Sequence, residues 1–214
     1  YRRAREATET GLSGREIVPV EVPQRRGDPL IVERDDEPFR VDLDKMGSLR
    51  PAFQKDGTVT AGNASKINDG AAAVVLTTSE KATELGLTPL ATLRAQASHA
   101  REPNRFTSAP IGVVRSLLDR TGLDASDIDL WEVNEAFAVV ALAFMQELGL
   151  DADRVNVRGG AVALGQPIGA SGARIVVTLL EAMRERDARL GCAAICIGGG
   201  EATAVLIERE AAGA

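Results

Sequence analysis

The sequence contains few of the residues that hold zinc or build disulfide frameworks. Two cysteines, Cys192 and Cys196, and one histidine, His99, occur among its 214 residues. The cysteines form a C-x₃-C pattern, which is neither a common zinc spacing nor a disulfide framework. We therefore expect no metal site, and the sparse use of cysteine favours a reducing, cytoplasmic setting. His99 lies on a polar stretch, which predicts a surface position.

Excess basic charge and long apolar runs are lacking as well. The net charge is −6, which argues against a nucleic-acid-binding surface because phosphate binding needs a basic field. No apolar run approaches the roughly 20 residues that span a bilayer, and the first residues lack the apolar region of a secretory signal. We therefore expect neither nucleic acid nor a membrane as partner. The N-terminal residues read as the middle of a helix, so we expect polypeptide upstream of them.

From Thr58 onward the sequence alternates between strand and helix patterns, and it closes with a hairpin whose turn is Gly198–Glu201. This order predicts an α/β fold with a mixed sheet covered by helices on both faces. The expected strands are residues 71–76, 90–97, 128–133, 192–197 and 202–207, and the expected helices are residues 79–86, 110–122, 135–148 and 171–186.

The first quarter of the chain is less regular. Residues 1–12 are expected to form a helix that ends near Gly11, and residues 17–22 a short edge strand between prolines. Residues 23–57 are polar and interrupted by proline, which predicts a solvated loop or a small lid.

One glycine-rich stretch, residues 156–177, stands out from the rest. It reads NVRGGAVALGQPIGASGARIVV, with five glycines within fourteen residues. Such density indicates sharp turns or a close approach of the backbone to another group. Gln166 stands at the centre of this stretch.

Three further segments could carry chemistry, and each also has a plain structural interpretation. Residues 61–70 (AGNASKINDG) would otherwise be a turn. Asn134 would be a helix N-cap, or it would hold a water or an oxyanion where a strand ends. Cys196, next to three glycines, would be a buried core cysteine, a nucleophile or a proton carrier. Cys192 fits the core interpretation.

Taken in order, these segments resemble the thiolase family over nearly the whole chain. The matching motifs are GNAS-x-x-NDGAA, NEAFA, N-V-x-GGA-x-ALG-x-PIGASGAR and C-I-GGG. The resemblance implies Claisen condensation of two acyl-CoA molecules, or thiolytic cleavage of a 3-ketoacyl-CoA. It also implies two similar half-domains, each a five-stranded sheet between helices, and a loop domain that covers coenzyme A.

In this scheme residues 1–57 are the end of the loop domain and a linker, and residues 58–214 are the C-terminal half-domain. The N-terminal half-domain, with its acylated cysteine, would be a separate part or partner. A dimer or tetramer is expected by resemblance. Coenzyme A or acyl-CoA would be a substrate rather than a permanently bound cofactor.

The resemblance also assigns roles to individual residues. Cys196 matches the acid/base that moves the substrate α-proton, and Gly198 the glycine whose N–H helps to bind the thioester oxygen. Asn134 matches the residue that positions a water in the other oxyanion hole. The residues that match the lining of the pantetheine tunnel are Ala64, Ser65, Ala136 and Phe137.

Two positions depart from the family pattern. Gln166 stands where the family has the His of G-H-P, which activates the nucleophilic cysteine and donates to the oxyanion. A Gln amide still donates a hydrogen bond, but it cannot hold a proton near neutral pH. Lys66 stands where the family usually has Gly, beside the coenzyme A contact. The alternatives to an active thiolase are a non-catalytic coenzyme A-binding or scaffold subunit and, far behind, a hydrolase with Cys196 as nucleophile.

Overall fold

A mixed four-stranded sheet forms the centre of the molecule in a computed structural model that describes residues 1–209. Its strands are β3 (Thr92–Ala100), β4 (Leu130–Val133), β5 (Leu190–Cys196) and β6 (Glu201–Glu208), in the order β3-β6-β5-β4. β4 and β5 run parallel, and the other pairs are antiparallel. The α/β class and the mixed sheet are therefore confirmed.

The hairpin between β5 and β6 forms where the sequence predicts it. Cys196 pairs with Ala202, and the turn is closed by a hydrogen bond of 2.8 Å from the N–H of Ile197 to the carbonyl of Glu201. Gly200 has φ +101°, and a β-carbon there would collide with the carbonyl oxygen of Arg101. Only glycine fits this position of the turn.

Helices α4 (Ala109–Thr121) and α5 (Ala138–Leu148) cover one face of the sheet. Their apolar positions recur every three or four residues and join one buried cluster with residues of β4, β5 and β6. Trp131 and Phe144 pack edge-to-face at the centre of this cluster, with ring centroids 5.5 Å apart.

Helix α7 (Ser171–Glu185), which follows the single-turn helix α6 (Ala161–Leu164), covers the opposite face. Its stripe of Ile175, Leu179 and Met183 packs with Leu130 and Ala193. Helices therefore lie on both faces of the sheet, as predicted. None of the helices within residues 1–209 is long and apolar enough to cross a membrane.

The N-terminal region contains more structure than its composition indicates. The expected first helix is present as α1 (Arg2–Glu9), and the expected edge strand at residues 17–22 is present in part as β1 (Val20–Val22). The expected loop, however, holds the strand β2 (Leu30–Val32), which pairs with β1, and the short helix α2 (Glu37–Arg40). The missed elements are three or four residues long, too short to show a periodicity. Short 3₁₀ turns occupy residues 12–15, 43–48, 103–108, 125–127 and 152–154.

The expected strand at residues 71–76 is not found. This segment precedes the short helix α3 (Ser79–Glu84), and no strand pairs with it within residues 1–209. Val75 is 93% exposed and Leu76 77%. A strand needs a neighbour for its backbone N–H and C=O groups, and the described residues offer this apolar run none. The described sheet consequently has four strands rather than five.

His99 is not a free surface residue. It lies on β3 and is half-buried. A β-carbon on Gly112 of α4 would lie 2.5 Å from its Nε2 atom, so the imidazole ring packs against the helix. The polar residues around His99 in the sequence hid this contact because alternate residues of an edge strand face opposite sides.

Candidate active site

The ends of two parallel strands bring Asn134 and Cys196 to the same edge of the sheet. Asn134 directly follows β4, and its N–H donates to the carbonyl of Ala194 on β5 at 2.9 Å. Cys196 is the last residue of β5. The carboxyl ends of parallel strands are where α/β proteins commonly bind ligands, because the following loops converge there.

Asn134 is fully buried, yet its side-chain amide is unpaired. Its exposed fraction is 0%, and neither Nδ2 nor Oδ1 has a hydrogen-bond partner within residues 1–209. An unsatisfied buried polar group costs about 1–3 kcal/mol. Asn134 is also not the N-cap of α5, because that helix begins at Ala138 with Phe137 as its cap. The helix-cap interpretation is wrong, and the amide is available to a ligand or a water.

The two cysteines differ in their surroundings. Cys192 is 1% exposed inside β5, and burial raises the pKa of its thiol, as the core interpretation predicts. Cys196 is 6% exposed; burial raises the pKa of its thiol too, while a hydrogen bond from its own backbone opposes the increase. Cys196 is therefore predominantly a thiol near neutral pH.

Gly198 lies in the turn that follows Cys196. Nothing lies within 4 Å of where a β-carbon on Gly198 would be. The turn is held by the N–H of Gly200, which donates to the carbonyl of Ile197 at 3.1 Å. The open space around Gly198 would let a ligand approach its backbone.

Gln166 packs against residues 65–68, about a hundred residues earlier in the chain. Its Oε1 accepts a hydrogen bond from the Ser65 hydroxyl at 2.9 Å, and its N–H donates to the Lys66 carbonyl at 2.7 Å. Gly165 has φ +94°, and a β-carbon there would lie 2.5 Å from Oδ1 of Asn68. The glycine therefore allows the close approach that its sequence predicts.

The four predicted tunnel residues come together at a second contact. Ala64 forms an antiparallel bridge with Phe137, and the N–H of Ser65 donates to the carbonyl of Ala136 at 3.0 Å. The Phe137 ring meets those of Phe53 and Phe106 edge-on, with centroids 6.5 and 6.3 Å away.

The predicted site residues therefore lie in two separate groups. Ser65 and Gln166 form one, and Asn134 and Cys196 the other. No hydrogen bond joins the two groups within residues 1–209; they are linked through Ala136, whose N–H donates to the Asn134 carbonyl at 3.1 Å.

The Cys196–His99 geometry does not suit a hydrolase. Both residues pair with Ala202 of β6, but from opposite sides, in β5 and in β3. Their Cα atoms are thus two strand spacings apart, about 9.5 Å. A nucleophile and its base need hydrogen-bond contact, about 2.6–3.2 Å between heavy atoms. Ala202 separates this cysteine from the one histidine in the sequence.

Sequence reasoning missed the role of Glu135. Its carboxylate accepts from Nδ2 of Asn156 at 2.9 Å and from the N–H of Val162 at 3.2 Å. It also occupies the space that a side chain on Gly160 would need. Glu135 thereby ties the loop after β4 to the glycine-rich stretch. The pair Gly159 and Gly160 indicated a close approach of the backbone to another group. The sequence did not show that this group is the side chain of Glu135.

Glu132 was also missed, and it lies at the boundary of the site. It is 1% exposed on β4, and Nη1 of Arg174 donates to its carboxylate at 3.1 Å. Burial raises the pKa of Glu132 to about 8, although Arg174 acts in the opposite direction. A glutamate inside an apolar strand was the available sequence signal.

Glu132 should make the chain less stable as the pH rises. Its pKa is about 8 in the folded state and near the ordinary 4.5 when unfolded. Between these values the folded state holds the extra proton, so the free energy of unfolding falls by up to about 1.4 kcal/mol per pH unit. The free energy of unfolding can be measured by urea titration at several pH values from 5 to 8. We expect Glu132→Gln to remove the contribution of this residue to the slope of that free energy against pH. Glu84→Gln, at an exposed position, should leave the slope unchanged; an identical slope in both variants would contradict the assignment.

A cavity of about 460 Å³ lies elsewhere. It is lined by residues of α1, α5 and the glycine-rich stretch, among them Tyr1, Met145 and Val162. None of the predicted catalytic or tunnel residues lines it. The candidate active site is thus the open edge of the sheet and not this cavity.

Known proteins of one family resemble this chain over nearly its whole length. The chain matches two family models, described as thiolase, N-terminal domain, over residues 1–80 and as thiolase, C-terminal domain, over residues 87–209. It is 53% identical over 209 residues to the cytosolic acetyl-CoA acetyltransferase ERG10 of Gibberella zeae, covering 97% of this chain and 52% of that protein. With the acetyl-CoA acetyltransferase of Cupriavidus necator the identity is 50% over 209 residues, with 97% and 53% covered. The chain therefore spans about half the length of these curated relatives.

Solved structures give the same result. The acetyl-CoA acetyltransferase of Bacillus anthracis superposes with a TM-score of 0.94 at 41% identity, over 98% of this chain and 53% of that one. The Acat5 thiolase of Ascaris suum, solved in complex with coenzyme A, gives 0.88 at 49% identity with the same coverage. The model of the C-terminal domain alone matches more than half of this sequence. The chain belongs to the thiolase family.

Proposed function

We propose that the chain is the C-terminal part of an acyl-CoA acyltransferase that performs Claisen condensation of acyl-CoAs or thiolysis of 3-ketoacyl-CoA. The observation that carries this proposal is the unpaired, fully buried amide of Asn134 at the sheet edge where Cys196 ends β5. A fold does not leave such an amide unsatisfied without cost, and a water or an oxyanion would satisfy it.

Cys196 is the proton carrier in this proposal. In thiolysis its S–H gives a proton to the α-carbon of the departing acetyl-CoA enolate and becomes a thiolate. In condensation the thiolate takes the α-proton of acetyl-CoA and returns to the thiol. The raised pKa of Cys196 keeps the thiol populated near neutral pH, which favours the proton-donating direction.

Hydrogen-bond donors stabilise the oxygens that become negative. Asn134 would hold a water against one thioester oxygen, and the N–H of Gly198 would face the oxygen of the acyl-enzyme. The open surroundings of Gly198 support this role.

Coenzyme A would be a substrate whose pantetheine arm passes Ala64, Ser65, Ala136 and Phe137. The bridge between Ala64 and Phe137 holds these residues side by side, which supports a common lining. The Ascaris suum relative was solved with coenzyme A, so the ligand suits this fold.

The remaining parts of the proposal concern the whole enzyme. Residues 1–57 would be the end of the loop domain, and residues 58–214 the C-terminal half-domain, whose last five residues lie outside the described part. An N-terminal half-domain, on the same or another polypeptide, would supply the nucleophilic cysteine. A dimer or tetramer in the cytoplasm is the proposed assembly, in line with a relative named as cytosolic.

The test is thiolysis of acetoacetyl-CoA by this chain completed with the N-terminal part of an acetyl-CoA acetyltransferase. We expect slow thiolysis that is absent in Cys196→Ala. The alternative, a coenzyme A-binding subunit without chemistry, predicts saturable binding of coenzyme A in calorimetry but no turnover, even with Gln166→His. The observation that favours this alternative is Gln166, whose amide cannot act as a general base.

A further inference from the structure

Lys66 connects three segments that are distant in the sequence. Its ammonium group forms an ion pair with Glu37 of α2 and donates to the Tyr1 hydroxyl at 3.1 Å. It also lies 5.3 Å from the centroid of the Tyr1 ring. The carbonyl of the same residue accepts the N–H of Gln166 at 2.7 Å. One residue thus joins the N-terminal region to the glycine-rich stretch.

The segment around Lys66 is anchored before this residue, where the Ser65 N–H donates to the Ala136 carbonyl, but it is exposed after it. Ile67 is 84% exposed, and residues 68–70 are exposed too. The Lys66 side chain is only 31% exposed and that of Glu37 27%. Burial lowers the pKa of Lys66, but the bonds to Glu37 and Tyr1 outweigh it, so the ammonium stays charged. A partly buried pair is screened less by salt than a surface pair.

The position of this segment determines how the Gln166 amide is oriented. The Ser65 hydroxyl donates to Oε1 of Gln166, which fixes the side of the amide that carries the oxygen. The amide nitrogen carries two N–H donors, and no acceptor for them occurs within residues 1–209. A shift of residues 65–67 would break both contacts to Gln166 and free its side chain to rotate.

We propose that Lys66 is a positioning residue: its ion pair with Glu37 holds residues 65–67 against Gln166, so that the Gln166 amide presents its nitrogen as a fixed hydrogen-bond donor. The catalytic consequence rests on the proposed function, since the donor would face a developing oxyanion only in an acyltransferase. The orientation itself is a property of this chain alone. Lys66 contacts neither the sheet edge nor Cys196, so it acts through Gln166.

The test is the side-chain amide signal of Gln166 in ¹⁵N–¹H spectra of this chain, assigned by its loss in Gln166→Glu. Lys66→Met keeps the aliphatic stem and removes the charge, and it should move the Gln166 signal towards that of a freely rotating amide. Lys81→Met removes the charge of an exposed Lys–Glu pair in α3 and should leave the signal unchanged. Lys66→Arg and the charge-reversed Lys66→Glu, Glu37→Lys variant should restore the parent signal.

An unmoved Gln166 signal in Lys66→Met, with the rest of the spectrum intact, would overturn the proposal whether or not the completed enzyme is active. In the completed enzyme, we expect Lys66→Met to lower kcat about fivefold, with KM for coenzyme A unchanged. A rise in KM alone would mean that Lys66 binds substrate instead, and would also overturn the positioning role. If the signal moves while no variant turns over, the orientation stands and the proposed function fails.

Discussion

Gln166→His is expected to raise thiolysis at least tenfold in the chain completed with an N-terminal part that carries the nucleophilic cysteine. General-base catalysis typically contributes about 10²- to 10⁴-fold, and a Gln side chain supplies none of it. The structure shows what Gln166 does supply. Its Oε1 accepts one hydrogen bond from Ser65, and its amide nitrogen carries two N–H donors that a ligand could accept. In the proposed function the present side chain would perform one of two tasks, donation to an oxyanion, and histidine would add proton transfer.

The pH dependence separates this explanation from a simple gain in binding. A histidine base should introduce an ionisation near pH 6.5 into the kcat profile, because it must be neutral to accept the proton. Gln96→His, on the exposed face of β3, is the matched control and should change neither rate nor profile. Equal thiolysis by the parent and Gln166→His would contradict the general-base argument and favour the coenzyme A-binding subunit.

The sheet and its two helical layers were predictable because long elements carry a repeated signal. The apolar stripe of α7 and the paired apolar strands around residues 198–201 each span several turns or residue pairs, so a local pattern determines them. The second strand of the ribbon, Leu30–Val32, was not predictable, since three residues show no period. The prediction of a strand at residues 71–76 was wrong for another reason. An apolar run specifies burial but not the neighbour that pairs with it.

At the site, the sequence identified residues better than it identified their contacts. Asn134, Cys196 and Gly198 were selected by their place at strand ends, and the structure brings them to one edge. The Ser65–Gln166 hydrogen bond spans about a hundred residues, and no local pattern contains such a contact. The same holds for Glu37, which lies in the segment predicted as a solvated loop or small lid yet pairs with Lys66.

Phe144→Ala is expected to lower the free energy of unfolding by about 3–5 kcal/mol, the usual cost of removing a fully buried Phe. Phe144 is 0% exposed on α5 and packs edge-to-face on Trp131 of β4. The lost apolar area and the cavity left behind both contribute. Because α5 directly follows Phe137, a loosened helix should also weaken the contact between Phe137 and Ala64. Urea unfolding followed by Trp131 fluorescence measures the stability directly.

Phe53→Ala is the matched control, because it makes the same chemical change in another edge-to-face pair. Phe53 meets Phe137 at 6.5 Å, but it is 75% exposed. An aromatic pair contributes about 0.5–1.5 kcal/mol beyond the area it buries. If burial determines the cost, Phe53→Ala should lower the free energy of unfolding by at most about 1.5 kcal/mol. Equal losses in the two variants would mean that ring pairing, and not the buried core beneath α5, holds this layer on the sheet.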